Sequence, residues 1–250
     1  NRNIMLDFWD SVFVYHNKLI RRTLKYTDKL ILSNRFLFEH FSFFHREKYI
    51  WSVSVDVNKY IAKDNYFIDK SEIRLFWTGL PENLINIEAY KQVLIDISKD
   101  YNITLVLVCR QKPNLPGIKI EHHAWDEETF YKLMAGADIG IYPEMINTYS
   151  KGKSTFKVLE YLASGLPSIG VSAGLPDGVR HGEELIVAES YNEWHDGLIN
   201  LIHNEHLRKD LGRKGRRFIL NNASIEKGFN ELKKIAFFWE ICAELAEYII

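Results

Sequence analysis

The sequence predicts an α/β protein built on parallel sheets. Short apolar runs alternate with longer segments whose apolar residues recur every three or four positions, which is the pattern of strands followed by helices. One run, Ser168 to Val171, is small and apolar throughout, as in a strand that is covered on both faces. A chain of 250 residues has room for one large or two modest domains.

The part of the chain before residue 56 contains the first group of elements. Strands are predicted over Asn3–Phe8, Leu30–Leu32 and Tyr49–Val55, and helices over Lys18–Tyr26 and Phe36–His45. Phenylalanine crowds the second helix, which favours a helix packed on two sides, and a membrane contact is the alternative. The stretch that follows, from Asp56 to Glu72, is polar and aperiodic and is interpreted as a linker.

A second group of elements follows the linker. Strands are predicted over Ile73–Trp77, Thr104–Cys109, Ile118–Glu121, Asp138–Tyr142 and Ser168–Val171, and helices over Ile85–Ser98, Glu127–Met134, Phe156–Ala163 and Ser224–Tyr248. The last helix has apolar residues at three- and four-residue steps, so one of its faces is apolar. Its charges are not predominantly basic, which weighs against binding to anionic lipid.

Positive charge gathers at the start of the predicted helix Phe156–Ala163. Ser154 is expected to cap this helix, and a capping box would place Glu or Gln three residues later, where the sequence has Lys157. Lys151 and Lys153 lie just upstream. Cations are unfavourable at the positive end of a helix dipole unless an anion lies among them, which predicts a phosphate site. A solvated lysine-rich loop is the alternative.

A carboxylate lies one turn after these lysines. Glu160 projects from the same side of the helix as Lys157 and could accept hydrogen bonds from a diol such as ribose. The alternative is an ordinary lysine–glutamate pair on a helix surface. The strand Ser168–Val171 leads into the loop of Ser172 and Gly174, and such strand-end loops bind ligands in open α/β sheets. Together these features indicate a nucleotide.

These residues resemble a known family. The matching residues are Gly152-Lys153, Lys157 with Glu160 to Ala163, Gly165 and Pro167, then Ser172 and Gly174, His181-Gly182, Glu193-Trp194, and Leu207-Arg208 with Gly212, Gly215 and Arg216. A second block consists of Phe76 to Gly79 with Pro81, and of Ala137 to Pro143. In this order they resemble the retaining glycosyltransferases of the GT-B fold, group 1 or family 4, which use nucleotide-sugar donors.

The resemblance implies a Rossmann-like GT-B architecture. Residues 1–56 would be part of an N-terminal acceptor domain, residues 57–224 a complete C-terminal donor-binding domain, and residues 225–250 a helix that packs back on the first domain. The segment Asp7 to Asp10 looks like one that lies well inside the first domain of family members, and the chain opens on Asn1. We therefore expect the chain to lack the beginning of its N-terminal domain.

The resemblance also implies roles for individual residues. Lys153 and Lys157 would hold the donor diphosphate and Glu160 the ribose, and these three are the candidate catalytic residues. The candidate donor-binding residues are Gly79, Trp125, Gly152, Ser172 and Gly174, although Trp125 could equally belong to the core. Asp7, Asp10 and His16 are candidate acceptor-side acid or base groups, and a structural or surface role is the alternative for each.

The sequence departs from the family pattern in several places. Gly152 stands where many members have the first of two glutamates, as in a subset of the family with Gly-Lys there. The first loop lacks cations that many members have, since Leu80 and either Asn83 or Asn86 stand in their places. Phosphate binding would therefore depend on the lysine loop, the segment from Lys151 to Lys157. Leu185 occupies a position that is often Gly, which bears on donor-sugar specificity.

Composition limits the classes of function. A net charge of −1 gives no reason to expect a nucleic-acid partner. The two cysteines, Cys109 and Cys242, have no metal or disulfide spacing, which indicates a reducing, cytoplasmic setting. No apolar run approaches the roughly 20 residues of a membrane span, and a peripheral place at the inner face of the membrane stays open. We expect no metal and no cofactor besides the UDP- or GDP-sugar donor.

The leading hypothesis is a retaining, metal-independent hexosyl-type glycosyltransferase. It would transfer sugar from a nucleoside diphosphate sugar to a glycan or glycolipid acceptor in surface polysaccharide biosynthesis, the biosynthetic role being analogy alone. The first alternative is a non-catalytic or half enzyme that binds nucleotide and needs a partner chain. The second is a structural or regulatory α/β domain in which the lysines and Glu160 are surface charges.

Overall fold

The structure, a computed structural model, describes residues 4–235 and contains two parallel sheets. The strands are β1 (Met5–Phe8), β2 (Lys29–Leu32), β3 (Glu47–Ile50), β4 (Ile73–Thr78), β5 (Ile103–Val108), β6 (Lys119–His123), β7 (Ile139–Tyr142), β8 (Ser168–Gly170) and β9 (Ile186–Val187). The helices are α1 (Phe13–Leu24), α2 (Arg35–His40), α3 (Leu84–Ile97), α4 (Glu127–Ala135), α5 (Thr148–Lys151), α6 (Phe156–Ser164), α7 (Tyr191–His203) and α8 (Glu205–Phe218). The predicted α/β class with parallel sheets is confirmed.

The first sheet has the order β1-β2-β3 and the second the order β6-β5-β4-β7-β8-β9. Every pair of neighbouring strands is parallel. In the second sheet the chain proceeds from β4 outward in one direction and then returns to start again at β7 on the other side of β4. The gap between the ends of β4 and β7 is therefore a topological switch point, where open α/β sheets bind ligands.

The first sheet packs on helices α1 and α2. Its core is formed by the buried side chains of Phe8, Phe13, Ile20, Leu24, Leu30, Leu32, Leu37, Phe41 and Phe44. Helix α1 begins five residues before the predicted start, because Phe13 is a member of this core. Helix α2 ends at His40 and continues as a single 3-10 turn over Phe41–Phe43. The exposed fraction of Phe43 is 42%, whereas Phe41 and Phe44 are buried.

The segment between the sheets is irregular, apart from a 3-10 turn over Val57–Lys59. Val55 exchanges backbone hydrogen bonds with the far end of the described chain, donating to Ala223 and accepting from Ile225. The predicted helix Ser224–Tyr248 is helical over 225–235, and its remaining part lies outside the described residues. Within 225–235, the carbonyl of Gly228 accepts the Trp51 indole N–H, so this helix contacts the segment that follows β3.

Helix α6 differs in two ways from its prediction. Its N-cap is Thr155 and not Ser154, and no side chain caps it, because the Thr155 hydroxyl donates to the carbonyl of Gly174. The residues before it form the short helix α5, which is capped by the side chain of Asn147. Helix α6 ends as predicted at Gly165, whose φ of +73° is the left-handed conformation that glycine adopts without strain.

Several residues that carry the resemblance hold α8 against the elements around it. Gly212 lies so close to Gly165 that a Cβ on it would lie 2.3 Å from the Gly165 carbonyl oxygen. The buried Arg208 donates to the carbonyls of Tyr66 and Leu201. These motif residues are therefore structural. No helix within residues 4–235 is long and apolar enough to cross a membrane.

Candidate nucleotide-binding site

A cavity of about 460 Å³ opens at the switch point of the second sheet. The residues that end or follow β4, β5 and β7 line it on one side, and the start of α6 lines it on the other. The lining residues are Thr78, Gly79, Leu80, Asn83, Val108, Cys109, Arg110, Trp125, Tyr142, Lys153, Ser154, Thr155, Phe156, Lys157 and Glu160. The cavity therefore combines strand ends, an uncapped helix start and two lysines.

The ammonium group of Lys157 is buried and has no hydrogen-bond partner among residues 4–235. It lies 4.9 Å from the centroid of the Trp77 ring and 5.7 Å from that of Tyr142, so aromatic faces replace some of its hydration. Burial, with a smaller contribution from Lys153, lowers the pKa of Lys157 to about 8. A buried cation without an anionic partner favours the entry of an anion into the cavity.

Lys153 lies in the same cavity, but its ammonium group is satisfied by the protein. It donates to the carboxylate of Glu144 at 3.0 Å and to the side-chain oxygen of Asn83 at 3.1 Å. The other carboxylate oxygen of Glu144 accepts from Asn86 at 2.9 Å. Glu144 is buried, so this group of four residues holds the Lys153 ammonium in a fixed position on the cavity wall.

Glu160 lies one turn along α6 from Lys157. The hydroxyl of Tyr60, from the segment between the sheets, donates to Glu160 Oε1 at 3.1 Å. Burial raises the pKa of Glu160 to about 7, against the opposing effects of the Tyr60 hydrogen bond and of Lys157. The alternative role for Glu160, an ordinary surface pair with Lys157, is not found in the described chain, since the Lys157 ammonium group has no polar partner there.

Gly79 and Trp125 form two further parts of the wall. A Cβ on Gly79 would lie 2.7 Å from the Trp77 ring and 3.4 Å from the Lys157 Nζ, so glycine leaves open the space in front of the ammonium group. Trp125 is 57% exposed, which rules out the alternative that it belongs to the core. Its indole ring borders both this cavity and a second one of about 530 Å³ on the Tyr60 side of Glu160.

Gly152, Ser172 and Gly174 do not line the cavity. Gly152 packs against the first sheet, where a Cβ on it would clash with Ser11. The hydroxyl of Ser172 donates to Glu189 on an exposed surface. Gly174, with a φ of +73°, lies behind the lysine loop, where a Cβ would lie 2.9 Å from the Lys153 carbonyl oxygen. Gly152 and Gly174 therefore support the lysine-containing loop on its side away from the cavity.

The three candidate acceptor-side residues lie on β1, on α1 and in the loop between them. Asp7 accepts a hydrogen bond from the Trp9 indole. His16 is exposed on α1, where its φ of −126° interrupts the helical backbone. Asp10 alone reaches the cavity wall, since its Oδ1 accepts the backbone N–H of Ser154 at 2.9 Å. The structure therefore gives Asp10 a positioning contact across the two sheets.

Sequence reasoning did not identify Glu144 and Tyr60 as parts of the site. Glu144 lies two residues after the end of β7, and an acidic residue just beyond a buried strand is a signal that could have found it. Tyr60 lies in the aperiodic linker, where no pattern marks it. Both residues act through side chains that come from outside the motifs that carry the resemblance.

The arrangement suits an anion joined to a diol. Lys157 offers a buried positive charge, the start of α6 offers the positive end of a helix dipole without a side-chain cap, and Glu160 offers carboxylate oxygens one turn away. Within residues 4–235 there is no group of three or more His, Cys, Asp and Glu side chains that could hold a metal ion.

The amino-acid sequence matches the family described as glycosyl transferase-like over residues 92–234, more than half of the chain. The chain belongs to this family. A search of curated proteins finds no match.

Solved structures confirm the fold. A sucrose-phosphate synthase from Thermosynechococcus elongatus superposes with a TM-score of 0.73 at 11% identity, over 97% of this chain and 69% of that one. HepE from Anabaena, solved with UDP and glucose, gives 0.70 at 12% identity, over 94% and 71%. WaaG, a glycosyltransferase involved in lipopolysaccharide biosynthesis, gives 0.64 at 14% identity, over 84% and 62%. The predicted GT-B fold and resemblance to group 1 glycosyltransferases are confirmed.

Proposed function

We propose that this protein transfers a sugar from a nucleoside diphosphate sugar to a glycan or glycolipid acceptor. The observation that carries the proposal is the buried ammonium group of Lys157, which has no polar partner in the described chain and faces a cavity with Lys153 and Glu160. Membership of a glycosyl transferase-like family and the structural likeness to HepE, which was solved with UDP and glucose, support the same donor class.

In this proposal the diphosphate lies between the two lysines and the start of α6. Transfer breaks the bond between the anomeric carbon of the sugar and the diphosphate, so negative charge grows on the leaving nucleoside diphosphate. In this arrangement Lys157, Lys153 and the positive end of the α6 dipole stabilise that charge. We infer that this chemistry is metal-independent and retains the anomeric configuration, as the family resemblance implies.

Glu160 is the proposed ribose ligand. Its ionised carboxylate can accept hydrogen bonds from both ribose hydroxyls, while Tyr60 occupies the remaining lone pair of Oε1. The base then lies toward Trp125, whose exposed ring offers a stacking surface. Lys157, Glu160 and Trp125 all line the same cavity, so a single nucleotide can contact all three.

A thermal-shift screen of UDP, GDP and ADP tests the donor class. A ligand at one hundred times its Kd stabilises the folded protein by about 2.7 kcal/mol, which raises the melting temperature measurably. We expect UDP or GDP to stabilise the chain, and uridine or guanosine alone to have a much smaller effect. Stabilisation by none of the three diphosphates would contradict the proposal.

Transfer itself is tested with the nucleotide sugar of the base that binds. Release of the nucleoside diphosphate in the presence of a glycan or glycolipid mixture is the expected result, measured by coupled detection of the diphosphate. Binding without release under every acceptor condition would favour the alternative of a nucleotide-binding subunit that needs a partner chain.

A further inference from the structure

Glu160 lies between two cavities that meet at its side chain. The first is the cavity at the switch point, which contains Lys153 and Lys157, and the second, of about 530 Å³, lies on the Tyr60 side. The segment between the sheets, α4 and the start of α6 border the second cavity. A ligand in the first cavity and the segment between the sheets therefore meet at one carboxylate.

Tyr60 reaches this carboxylate from the segment between the sheets. Its hydroxyl donates to Glu160 Oε1 at 3.1 Å, and no other group within residues 4–235 donates a hydrogen bond to Glu160. Tyr60 is only 7% exposed. Burial, with a smaller contribution from the charge of Glu160, raises the pKa of Tyr60 far above its ordinary value, so the hydroxyl keeps its proton and stays a donor.

The position of Tyr60 is fixed by its surroundings. Its backbone N–H closes the preceding 3-10 turn. Its ring lies edge-on to that of Tyr131 in α4, with ring centroids 5.1 Å apart. The neighbouring Lys59 pairs with Glu127, also in α4, at 2.8 Å. Backbone and ring packing therefore hold the hydroxyl beside Glu160, in addition to the hydrogen bond itself.

A donor at this position matters because Glu160 is buried. Burial favours the protonated carboxyl group and raises the pKa of Glu160 to about 7, while the Tyr60 hydrogen bond and Lys157 act in the opposite direction. A protonated carboxyl group accepts fewer hydrogen bonds than a carboxylate, and those it accepts are weaker. Two hydroxyls of a diol therefore bind best to the ionised form.

The other charged and titratable groups around Glu160 do not replace Tyr60. They come from α6, from the segment between the sheets and from α4, and they are Lys157, Tyr161, Asp56, Lys59, Glu127 and Tyr131. The pair of Lys59 with Glu127 is neutral as a whole, and Asp56 is an anion that opposes ionisation of Glu160. Neither of the two other tyrosines donates to Glu160.

We propose that Tyr60 is a positioning residue for the donor, whose hydroxyl keeps the Glu160 carboxylate ionised and oriented for the ribose hydroxyls. In the proposed complex the diphosphate becomes the partner of Lys157, so Tyr60 remains as the protein group that stabilises the carboxylate. The inference rests on the proposed function, in which Glu160 is the ribose ligand. The action of Tyr60 on Glu160 needs no nucleotide, so the two can be tested separately.

The first experiment follows the ionisation of Glu160 in the ligand-free protein. Carbon-13 NMR of the glutamate carboxyl groups gives the midpoint pH of each titration, and the signal that is lost in Glu160→Gln identifies Glu160. We expect a midpoint near pH 7 in the wild type. In Tyr60→Phe, which keeps the ring and loses the hydrogen bond, the midpoint should lie about one to two pH units higher.

Tyr131→Phe is the matched control for this titration. Its ring packs on that of Tyr60, but its hydroxyl does not bond to Glu160. The midpoint in Tyr131→Phe should therefore equal that of the wild type. A midpoint that is unchanged in Tyr60→Phe, or that moves equally in both variants, would overturn the inference.

The second experiment measures whether ligand binding follows this ionisation. UDP and 2′-deoxy-UDP, or the guanosine pair if GDP is the diphosphate that binds, differ by one ribose hydroxyl, so the ratio of their affinities removes the titration of Lys157 and of the phosphates. In the wild type, calorimetry should give a ratio of at least about tenfold at pH 8.5, which falls as the pH decreases through 7. In Tyr60→Phe the ratio should be several-fold smaller at pH 7.5 and recover toward the wild-type value at pH 9.

The outcomes separate this inference from the function on which it rests. Equal affinities of the wild type for the two nucleotides at every pH would mean that Glu160 is not the ribose ligand, and the role of Tyr60 in donor binding would fail with the proposed function. A ratio that is lost in Tyr60→Phe and does not recover at pH 9 would mean that the hydroxyl serves packing alone. That result would overturn the inference while leaving the ribose contact in place.

Discussion

The two lysine side chains on the cavity wall, Lys153 and Lys157, have opposite surroundings. Lys153 is held by Glu144 and Asn83, and its charge is neutralised inside the protein. Lys157, four residues along the chain, is buried against the rings of Trp77 and Tyr142 without a polar partner in the described residues. The difference indicates that the two lysines have different roles. The protein itself fixes Lys153 in position, whereas the charge of Lys157 needs a ligand as its partner.

Because only one of the two lysines is paired, removing a charge at each has opposite consequences for the stability of the folded state. A buried cation without a partner destabilises the folded state, and removing one partner of a buried pair also destabilises it. Loss of the Lys157 charge should therefore leave the protein as stable or more stable while it abolishes tight binding. Loss of the Glu144 charge should do the reverse.

The largest expected effect concerns Lys157→Met, which keeps most of the length of the side chain and removes its charge. Affinity for the nucleoside diphosphate should fall by about 1.5–3 kcal/mol, or tenfold to somewhat over a hundredfold, since a charge-assisted hydrogen bond is lost. Calorimetric titration measures it. Lys151→Met is the matched control, because Lys151 belongs to the same segment but is exposed and does not line the cavity. Equal losses in the two variants would contradict a specific role for Lys157.

The next effect concerns Glu160→Gln and depends on pH. Burial raises the pKa of Glu160 from 4.5 to about 7, so its contribution to stability is fully present below pH 4.5 and is lost as the pH rises through 7. The variant should therefore raise the free energy of unfolding by about 1–3 kcal/mol at pH 8, and by less at pH 5. Denaturant unfolding at both pH values measures the difference.

Ligand binding distinguishes the proposed role of Glu160 as a ribose ligand from its effect on stability. The same variant should weaken the binding of a ribonucleotide while leaving that of pyrophosphate nearly unchanged, because only the diol ligand is lost. Glu128→Gln, on the exposed side of α4, is the control and should show neither effect. Equal weakening of both ligands would assign Glu160 to the phosphates instead.

For Glu144→Gln we expect a smaller change in the free energy of unfolding, opposite in sign to that of Glu160→Gln. The Lys153 ammonium would lose its buried carboxylate, and the free energy of unfolding should fall by about 1–2 kcal/mol, less than for a fully buried pair because Lys153 keeps some exposure. Diphosphate affinity should change less than in Lys157→Met. If Glu144→Gln stabilised the protein, the contrast between the two lysines would be wrong.

The smallest effect is expected for Asp10→Asn. The amide oxygen can still accept the Ser154 N–H, so both nucleotide affinity and transfer should stay within a few-fold of the wild type. Asp10→Ala removes the acceptor and should weaken nucleotide binding more than Asp10→Asn does. A loss of transfer by orders of magnitude in Asp10→Asn alone would instead restore an acid or base role.

The sequence predicted the fold class and the order of the elements well, because apolar periodicity reports burial. Local boundaries were less accurate. The cap of α6 is Thr155 and not Ser154, and both residues are held by partners distant in the chain: Asp10, 144 residues away, accepts the Ser154 N–H, and the Gly174 carbonyl accepts the Thr155 hydroxyl. Periodicity contains no information about such a distant partner.

In the candidate site, too, the sequence could not show contacts between residues that are distant in the chain. Lys153, Lys157, Glu160, Gly79 and Trp125 were predicted and meet in one cavity. The pattern could not show that Lys153 is paired and Lys157 is not, since Glu144 and Asn83 reach Lys153 only through the tertiary fold. Ser172 shares the motif and yet faces Glu189, because a motif fixes the position of a residue in the chain and not the direction of its side chain.

Proton uptake on nucleotide binding tests the unpartnered state of Lys157 most directly. Burial lowers the pKa of Lys157 to about 8, so at pH 8.5 most of the ligand-free protein has this side chain neutral, and a diphosphate beside it favours the charged form. Titration calorimetry with UDP or GDP at pH 8.5, in buffers of different ionisation enthalpy, measures the protons taken up. We predict uptake of a substantial fraction of one proton by the wild type and Lys151→Met, and its disappearance in Lys157→Met. Tight binding with no proton uptake, or uptake that persists in Lys157→Met, would contradict the account.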